Sequence, residues 1–516
     1  MTTSPNSPTA LRITPKFNIE PVPLTHSWAG VVNIDQFKWL SWSAVHGALD
    51  MARKEIGAHT VRAVGMYGFA NRVYDADPRG FKNPEHRGKR SNFSMLNTYF
   101  DGCIERGVTP MFTTCFTPDV LAKGDKTVFD QSGNVTPPRD MDEWEQFVEL
   151  SVREMAHRYG RRRMREWLFE VWNEPNLEGG FWVGGQELWM EVWRRSFRAI
   201  KNVDADFRVG GPSTARGEWV GDLLDYGKSN DCLPDYIITH CYNNDADGDA
   251  ALSPFDGPQT DKISKSPNFA SGVIRGVKSI CDSKNFTGEI HWNEWGRSWF
   301  PWDPERETEN EAAFIWKTMA EVGDQADSFA YWNLSDIYNQ VGYGRETFHA
   351  NYGMLNQQNI RKPNYLAHQL LCRLKENRYG AEVQGGSDLV NSVCAGNEET
   401  RQVGVYAFQA PEGEAIAPRR VEIALEASEP FHRPKLFRIT RNENNAVRRW
   451  EEAGSEPYMS PEDSGRWKDS SALREAPLSD IDVRTEGDAR IVSFTLEGRG
   501  VAFLEWHREG FTQPMK

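Results

Sequence analysis

The sequence predicts an α/β protein: a (β/α)8 barrel, the TIM-barrel arrangement, followed by a C-terminal antiparallel β-sandwich. Three observations predict it. Between about residues 25 and 374, eight short apolar runs alternate with helical patterns or loops. From residue 375 the pattern changes to short, alternating, β-branched segments joined by turns. The 516-residue chain also exceeds what one hydrophobic core generally supports, so two domains are expected.

The first strand is WAGVVNI (28–34). WSAVHGALDMARKEIG follows, where Val45, Leu49, Ala52 and Ile56 fall on one helical face and Gly57 supplies a stop. The second and third strands are HTVRAVG (59–65) and VTPMFTTC (108–115). Asp142 and Glu145 then make a capping-box-like start to a helix with Trp144, Val148, Val152, Met155 and Tyr159 on one face. WLFEVWNEP, FRVGGPS (207–213), DYIITHCY (235–242), EIHWNEW (289–295) and SFAYWNLSD (328–336) complete eight strands. A doubly wound open sheet competes with this reading, but no GxGxxG or GxxxxGK[ST] loop follows any strand.

After residue 375, SDLVNSVCA, RQVGVYAFQA, RRVEIALEA, PKLFRIT, ARIVSFTLE and GVAFLEW read as sandwich strands. A charged, helix-like insert, RNENNAVRRWEEAGSEPYMSPEDSGRW, interrupts them. The expected division is a tail over 1–24 contributing an edge strand to the β-domain, a catalytic barrel over 25–374 and a β-domain over 375–516.

Composition excludes several functions. The net charge of −14 argues against a nucleic-acid partner, which needs a basic face. No 18 apolar residues run together, so no membrane span is expected. The start MTTSPNSPTALRITPKF lacks a basic stretch followed by an apolar one, and the seven cysteines are scattered without a CxxC pair. A cytoplasmic location with reduced thiols is the expectation. The histidines show no metal-ligand spacing and no GxSxG or HExxH occurs, so neither metal nor cofactor is expected.

The chemistry is expected where barrel strands end. FEVWNEPNLEGGFW (169–182) runs an apolar strand into Glu174, and Pro175 stops the ladder just beyond it. EIHWNEW repeats the Asn-Glu pair at Asn293-Glu294. Strands four and seven face each other across a barrel mouth, so the two carboxylates can flank one bond. That pairing is what glycosidic cleavage requires. Arg62 in strand two is placed to keep one carboxylate ionised, while Trp172 or Trp182 would desolvate the other. His240 and Tyr242 end strand six, within reach of the nucleophile. Trp292, Trp295, Trp299, Trp302 and Trp332 crowd the same ends and suit the apolar faces of sugar rings. Asp336 is more in keeping with a structural or substrate-positioning role.

Taken together, these segments resemble glycoside hydrolase family 39, the β-xylosidases and α-L-iduronidases, and above all the bacterial β-xylosidases. SNFSMLNTYFDGCIERGVTPMF (91–112), GNVTPPRD (133–140), the WNEPN motif, FAYWNLSDIYNQ (329–340) and FHANYGML (348–355) carry the likeness along nearly the whole chain. The resemblance implies a retaining exo-glycosidase acting on an oligosaccharide or glycoside, with Glu174 as acid/base and Glu294 as nucleophile. It implies that Asn173 contacts the sugar 2-hydroxyl and that His240, Tyr242 and Trp332 line the sugar subsite. Asn293 departs from the xylosidase members, which tend to carry threonine there. β-D-Xylosidase activity is the expectation, because the residues after His240 are uncharged and a uronate carboxylate would lack a cationic partner. Iduronidase, arabinosidase or β-galactosidase activity is the alternative. A barrel that binds carbohydrate without cleaving it would have lost a glutamate, and neither is lost.

Overall fold

A computed structural model describes residues 10–76, 88–128, 133–245, 266–340, 342, 344 and 346–508. Its centre is a curled parallel sheet of TIM-barrel type. The barrel strands, numbered one to eight, are Val31–Gln36, Thr60–Val64, Thr109–Thr113 (broken at Met111), Leu168–Glu170, Arg208–Thr214, Tyr236–Tyr242, Glu289–Gly296 and Ser328–Tyr331. Strands three to eight pair in order, and strands one to three pair in order. Backbone hydrogen bonds from Phe329 to Ser27 (2.7 Å) and from Leu334 to Asn33 (2.9 Å) bring the eighth strand back to the first.

Each strand is followed by a helix: Ser43–Ile56, Ser94–Ile104, Met141–Tyr159, Gly185–Val203, Val220–Ser229, Phe269–Ser283, Glu309–Val322 and Pro363–Leu371. The expected apolar face of the first is buried, and Gly57 ends it at φ 74°, where a Cβ would be strained. The third helix starts elsewhere than the Asp142/Glu145 pattern implies. Asp140 is its N-cap and accepts from the N–H groups of Asp142 and Glu143. Asp142 and Glu145 instead face the next helix, where both pair with Arg195.

The rest of the chain forms two sheets. One orders Ala381–Gln384, Leu11–Pro15, Arg419–Glu426, Ala489–Leu496 and Asp482–Glu486. The other orders Val22–Pro23, Asn377–Tyr379, Val390–Gly396, Thr400–Ala407, Gly500–His507 and His432–Ile439. Residues from both share one apolar cluster, including Ile13, Val403, Ile423, Phe494, Leu504 and Trp506. The N-terminal tail supplies more than an edge strand. Val22–Pro23 lies at the edge of the second sheet, but Leu11–Pro15 is interior to the first and runs parallel to Arg419–Glu426. A strand arriving from the distant N-terminus is not bound to the antiparallel sense that a hairpin imposes.

The charged insert folds as the helices Ala446–Glu452 and Pro461–Ser470. The second sheet lies against the helix Glu309–Val322 of the barrel. Trp316 on that helix meets Phe503 edge-on, and a Cβ on Gly404 would stand 2.0 Å from the Trp316 ring. Only glycine permits this approach. All seven cysteines are free, and only Cys372 is partly exposed. Among the described residues no helix is long and apolar enough to cross a membrane.

Candidate active site

The site is built from its floor upward, and the floor rests on a residue that sequence reasoning passed over. Glu170 closes the fourth strand and is fully buried. Arg62 from the second strand grips it with Nε on Oε2 (2.8 Å) and Nη2 on Oε1 (2.9 Å). Thr113 donates to Oε2 (3.0 Å), while Ser213 (2.8 Å) and Asn293 (2.9 Å) donate to Oε1. Burial pushes the Glu170 pKa up, but the Arg62 guanidinium outweighs it and the net direction is down. An ionised carboxylate in the barrel interior is tolerable only with donors on both oxygens, and here four strands supply them.

The guanidinium spends its remaining donors on the site itself. Nη1 reaches Glu294 Oε1 at 2.5 Å and Nη2 reaches Asn173 Oδ1 at 2.6 Å. The other Glu294 oxygen accepts from the Tyr242 hydroxyl at 2.8 Å. Burial holds that phenol well above its usual pKa, so it stays a donor. Glu294 therefore accepts on one oxygen from a guanidinium and on the other from a phenol.

Glu174 stands differently. Strand four does not run on to Pro175 as expected: it ends at Glu170 because the backbone turns left-handed at Trp172, so Glu174 lies four residues beyond it, with its N–H bonded to the Ser213 carbonyl at 2.8 Å. Trp172 (φ 71°) and Glu174 (φ 45°) both adopt the left-handed backbone region, which costs roughly 1–3 kcal/mol per residue and aims the side chain inward. On the same loop Trp172 and Trp182 meet edge-on, with indole N–H groups tied to the Phe181 and Gly185 carbonyls. Glu174 Oε1 shares a hydrogen bond of 2.9 Å with His240 Nδ1. Burial pushes the Glu174 carboxyl up to about 7, with Arg62 opposing from a distance, and pushes His240 down to about 4. Near neutrality the imidazole is uncharged.

One oxygen of Glu174, one oxygen of Glu294 and a ring nitrogen of His240 all lie within 4.8 Å of one another. Such a trio could in principle ligate a metal ion, yet the guanidinium 2.5 Å from Glu294 already supplies the positive charge there. The same spacing suits two carboxylates flanking a glycosidic bond.

Above them opens a cavity of about 680 Å³. Of the residues singled out in the sequence, Asn173, Glu174, Tyr242, Glu294 and Trp332 line it. Arg62 and His240 do not; they lie fully buried behind the wall and position the carboxylates. The tryptophans divide as well. Trp299 and Trp332 line the cavity, Trp292 and Trp295 are core, and Trp302 is 48% exposed. Asp336 belongs to the core, ion-paired with Lys362 beside Glu307. Sequence reasoning missed Asp245, Tyr338, Gln340 and Tyr352, which come from loops without periodicity. For Glu170 there was a signal: a carboxylate inside an apolar strand, four residues before Glu174.

The chain resembles known proteins along most of its length. The sequence matches the Glycosyl hydrolases family 39 over residues 17–481. A β-xylosidase of Caldicellulosiruptor saccharolyticus is 31% identical over 432 residues, 84% of this chain and 85% of the relative. A β-xylosidase of Geobacillus stearothermophilus is 29% identical over 323 residues, 62% of each chain. The crystal structure of a monomeric β-xylosidase from Caulobacter crescentus CB15 superposes with a TM-score of 0.82 at 23% identity, over 97% of this chain and all of that one, and shows the same fold. The chain belongs to glycosyl hydrolases family 39, and it is a glycoside hydrolase.

Proposed function

We propose that the protein is a retaining, exo-acting β-D-xylosidase in which Glu174 is the acid/base and Glu294 the nucleophile. The observation that carries this is the close approach of the two carboxyls, one oxygen of Glu174 lying within 4.8 Å of one oxygen of Glu294, in opposed surroundings. Retaining enzymes hold their carboxyls ~5–5.5 Å apart, and inverting enzymes ~6.5–9.5 Å apart to admit a water. A carboxyl raised to about 7 is half protonated at neutrality, as a general acid must be.

In the first step Glu174 transfers its proton to the glycosidic oxygen as the C1–O bond breaks, and a Glu294 oxygen bonds to C1. In the second, Glu174 takes a proton from water, whose oxygen bonds to C1 and releases Glu294. His240 orients Glu174, while Arg62 and Tyr242 position Glu294. Asn173, with its amide oxygen held by Arg62, presents its NH2 to the sugar 2-hydroxyl, and Trp332 offers a ring face.

A neutral sugar is favoured over a uronate. Among the described residues lining the cavity there is no Arg or Lys, while three carry carboxyls: Glu174, Glu294 and Asp245. A uronate would sit unpaired among them. We read residues 25–374 as the catalytic domain and residues 375–516 with the tail as an accessory β-sandwich, a division supported by the separate apolar cluster between the two sheets. The free, largely buried thiols support a reducing, cytoplasmic setting.

The test is a panel of aryl β-D-xyloside, arabinofuranoside, galactoside and iduronide, joined to trapping with a 2-deoxy-2-fluoro xyloside carrying a good leaving group. The xyloside should turn over fastest, the label should map to Glu294, and NMR of early turnover should show the β-anomer first. Preference for the iduronide would overturn the sugar, and a label on Glu174 or an initial α-anomer would overturn the roles.

A further inference from the structure

The cavity wall is chemically lopsided. Among the described residues, the ends of strands six, seven and eight contribute Tyr242, Trp299, Trp332, Tyr338, Gln340 and Tyr352, beside the apolar Phe300 and Pro301 after strand seven. This side is rich in hydroxyls, an amide and ring faces, and it is held in place. The Tyr338 hydroxyl donates to Gln340 Oε1 at 2.9 Å while Gln340 Nε2 donates to the buried Asp35 at 2.5 Å. Such a surface matches the hydroxyls and apolar face of one sugar ring.

The loops after strands four and five are different. Beyond Asn173 and Glu174 they contribute only Leu177, Phe181 and Ala215, none with a hydrogen-bonding side chain. Among the described residues lining the cavity, Asp245 after strand six is the one further acid, and one of its oxygens accepts from the Tyr242 N–H at 2.7 Å. The apolar wall is firmly built. The Leu177 and Phe181 N–H groups bond back to Glu174 and Leu177 at 3.1 Å each, and the Phe181 ring stacks on Phe116. Asn176 ties the two loops together, accepting from the Ala215 N–H at 2.9 Å and donating to its carbonyl at 3.1 Å.

Sidedness follows from the chemistry. The acid protonates the oxygen that leaves, so the group attached to that oxygen departs on the Glu174 side, which is the apolar side. A second pyranose there would bring hydroxyls against the Leu177, Phe181 and Ala215 side chains, none of which can hydrogen-bond them. We infer that the leaving-group site takes an apolar alcohol, alkyl, aryl or terpenoid in character, in preference to another sugar. This rests on the acid role proposed for Glu174 and narrows the substrate class from xylo-oligosaccharides to glycosides of apolar alcohols.

The experiment measures kcat/KM for methyl, butyl and octyl β-glycosides, whose alkoxides leave with similar intrinsic reactivity, beside the corresponding disaccharide. Each fully buried methylene is worth roughly fourfold. Partial contact along the chain should raise kcat/KM at least about tenfold from methyl to octyl and place the octyl glycoside above the disaccharide. In Leu177→Asn/Phe181→Asn the octyl-to-methyl ratio should fall toward one, whereas Leu177→Ile/Phe181→Leu should keep it. Because the readout is a ratio, losses from partial misfolding cancel. A flat series in the unaltered enzyme, or a disaccharide that outperforms the octyl glycoside, overturns the inference. The series is made on whichever sugar the panel above selects, so a failed xylosidase reading shows in the panel and leaves this ratio to decide the leaving-group site by itself.

Discussion

The floor of the barrel site and the outer face of the five-stranded sheet both carry alternating charges, and they use them in opposite ways. On the sheet, Arg12, Glu422, Arg484 and Glu486 form a ladder with contacts of 2.9–3.7 Å at positions from partly to well exposed. In the barrel, Arg62, Glu170 and Glu294 lie at similar distances but almost entirely out of water. Screening and side-chain entropy leave the first set worth little. The second set cannot be left unpaired without a large penalty, and that penalty is what confines the Glu294 side chain to one position. Equal geometry on paper thus has unequal consequences, decided by burial.

The largest effect should come from removing the central cation. Arg62→Met would strand two buried carboxylates, so unfolding free energy should fall by about 3–5 kcal/mol and activity should disappear with it. Denaturant melts and turnover of an aryl xyloside check both. A stable, active Arg62→Met protein would mean that the floor network is dispensable and the comparison false.

Next comes Glu174, which tests whether burial sets proton affinity. With its pKa near 7, the acid is protonated below neutrality and is lost as pH rises through 7, so turnover of poorly leaving substrates should fall on that alkaline limb. Glu174→Gln should cost ~10²–10⁴-fold on xylobiose. With a dinitrophenyl xyloside, whose leaving group needs no proton, glycosylation should persist and the alkaline limb should vanish. Equal loss on both substrates would remove Glu174 from the acid role.

The smallest effect belongs to the exposed ladder. Arg484→Ala should leave the unfolding midpoint unchanged within error, at low and at high salt alike. A clear salt-dependent drop would show that the ladder acts as a network and would narrow the contrast with the floor.

Much of this was legible in advance, for identifiable reasons. Strand five was expected over 207–213 and runs Arg208–Thr214; strand six was expected over 235–242 and runs Tyr236–Tyr242. Buried parallel strands are near-continuous apolar runs, which survive reading one residue at a time. Glu174 and Glu294 stood out because each interrupts such a run. Asp140 was overlooked as a helix cap because Asp142 offers the same chemistry two residues later, and only backbone geometry separates them. Arg62 was recognised as a partner of the nucleophile, yet its grip on Glu170 was not, because Glu170 sits within an apolar strand and only the folded barrel shows that its side chain points to Arg62.

By itself the sequence determined local matters: where apolar runs permit strands, where Gly57 stops a helix, and which carboxylates lie near the ends of strands four and seven. These depend on periodicity and backbone sterics acting over a few residues. Tertiary structure alone decided that Arg62 and His240 stand behind the cavity wall, that Trp292 and Trp295 are core while Trp299 and Trp332 meet the cavity, and that Leu177 and Phe181 form an apolar wall beside Glu174. Burial decides each of these, and burial is set by residues far apart in the chain; the same Trp or Arg reads identically in sequence whether water reaches it or not.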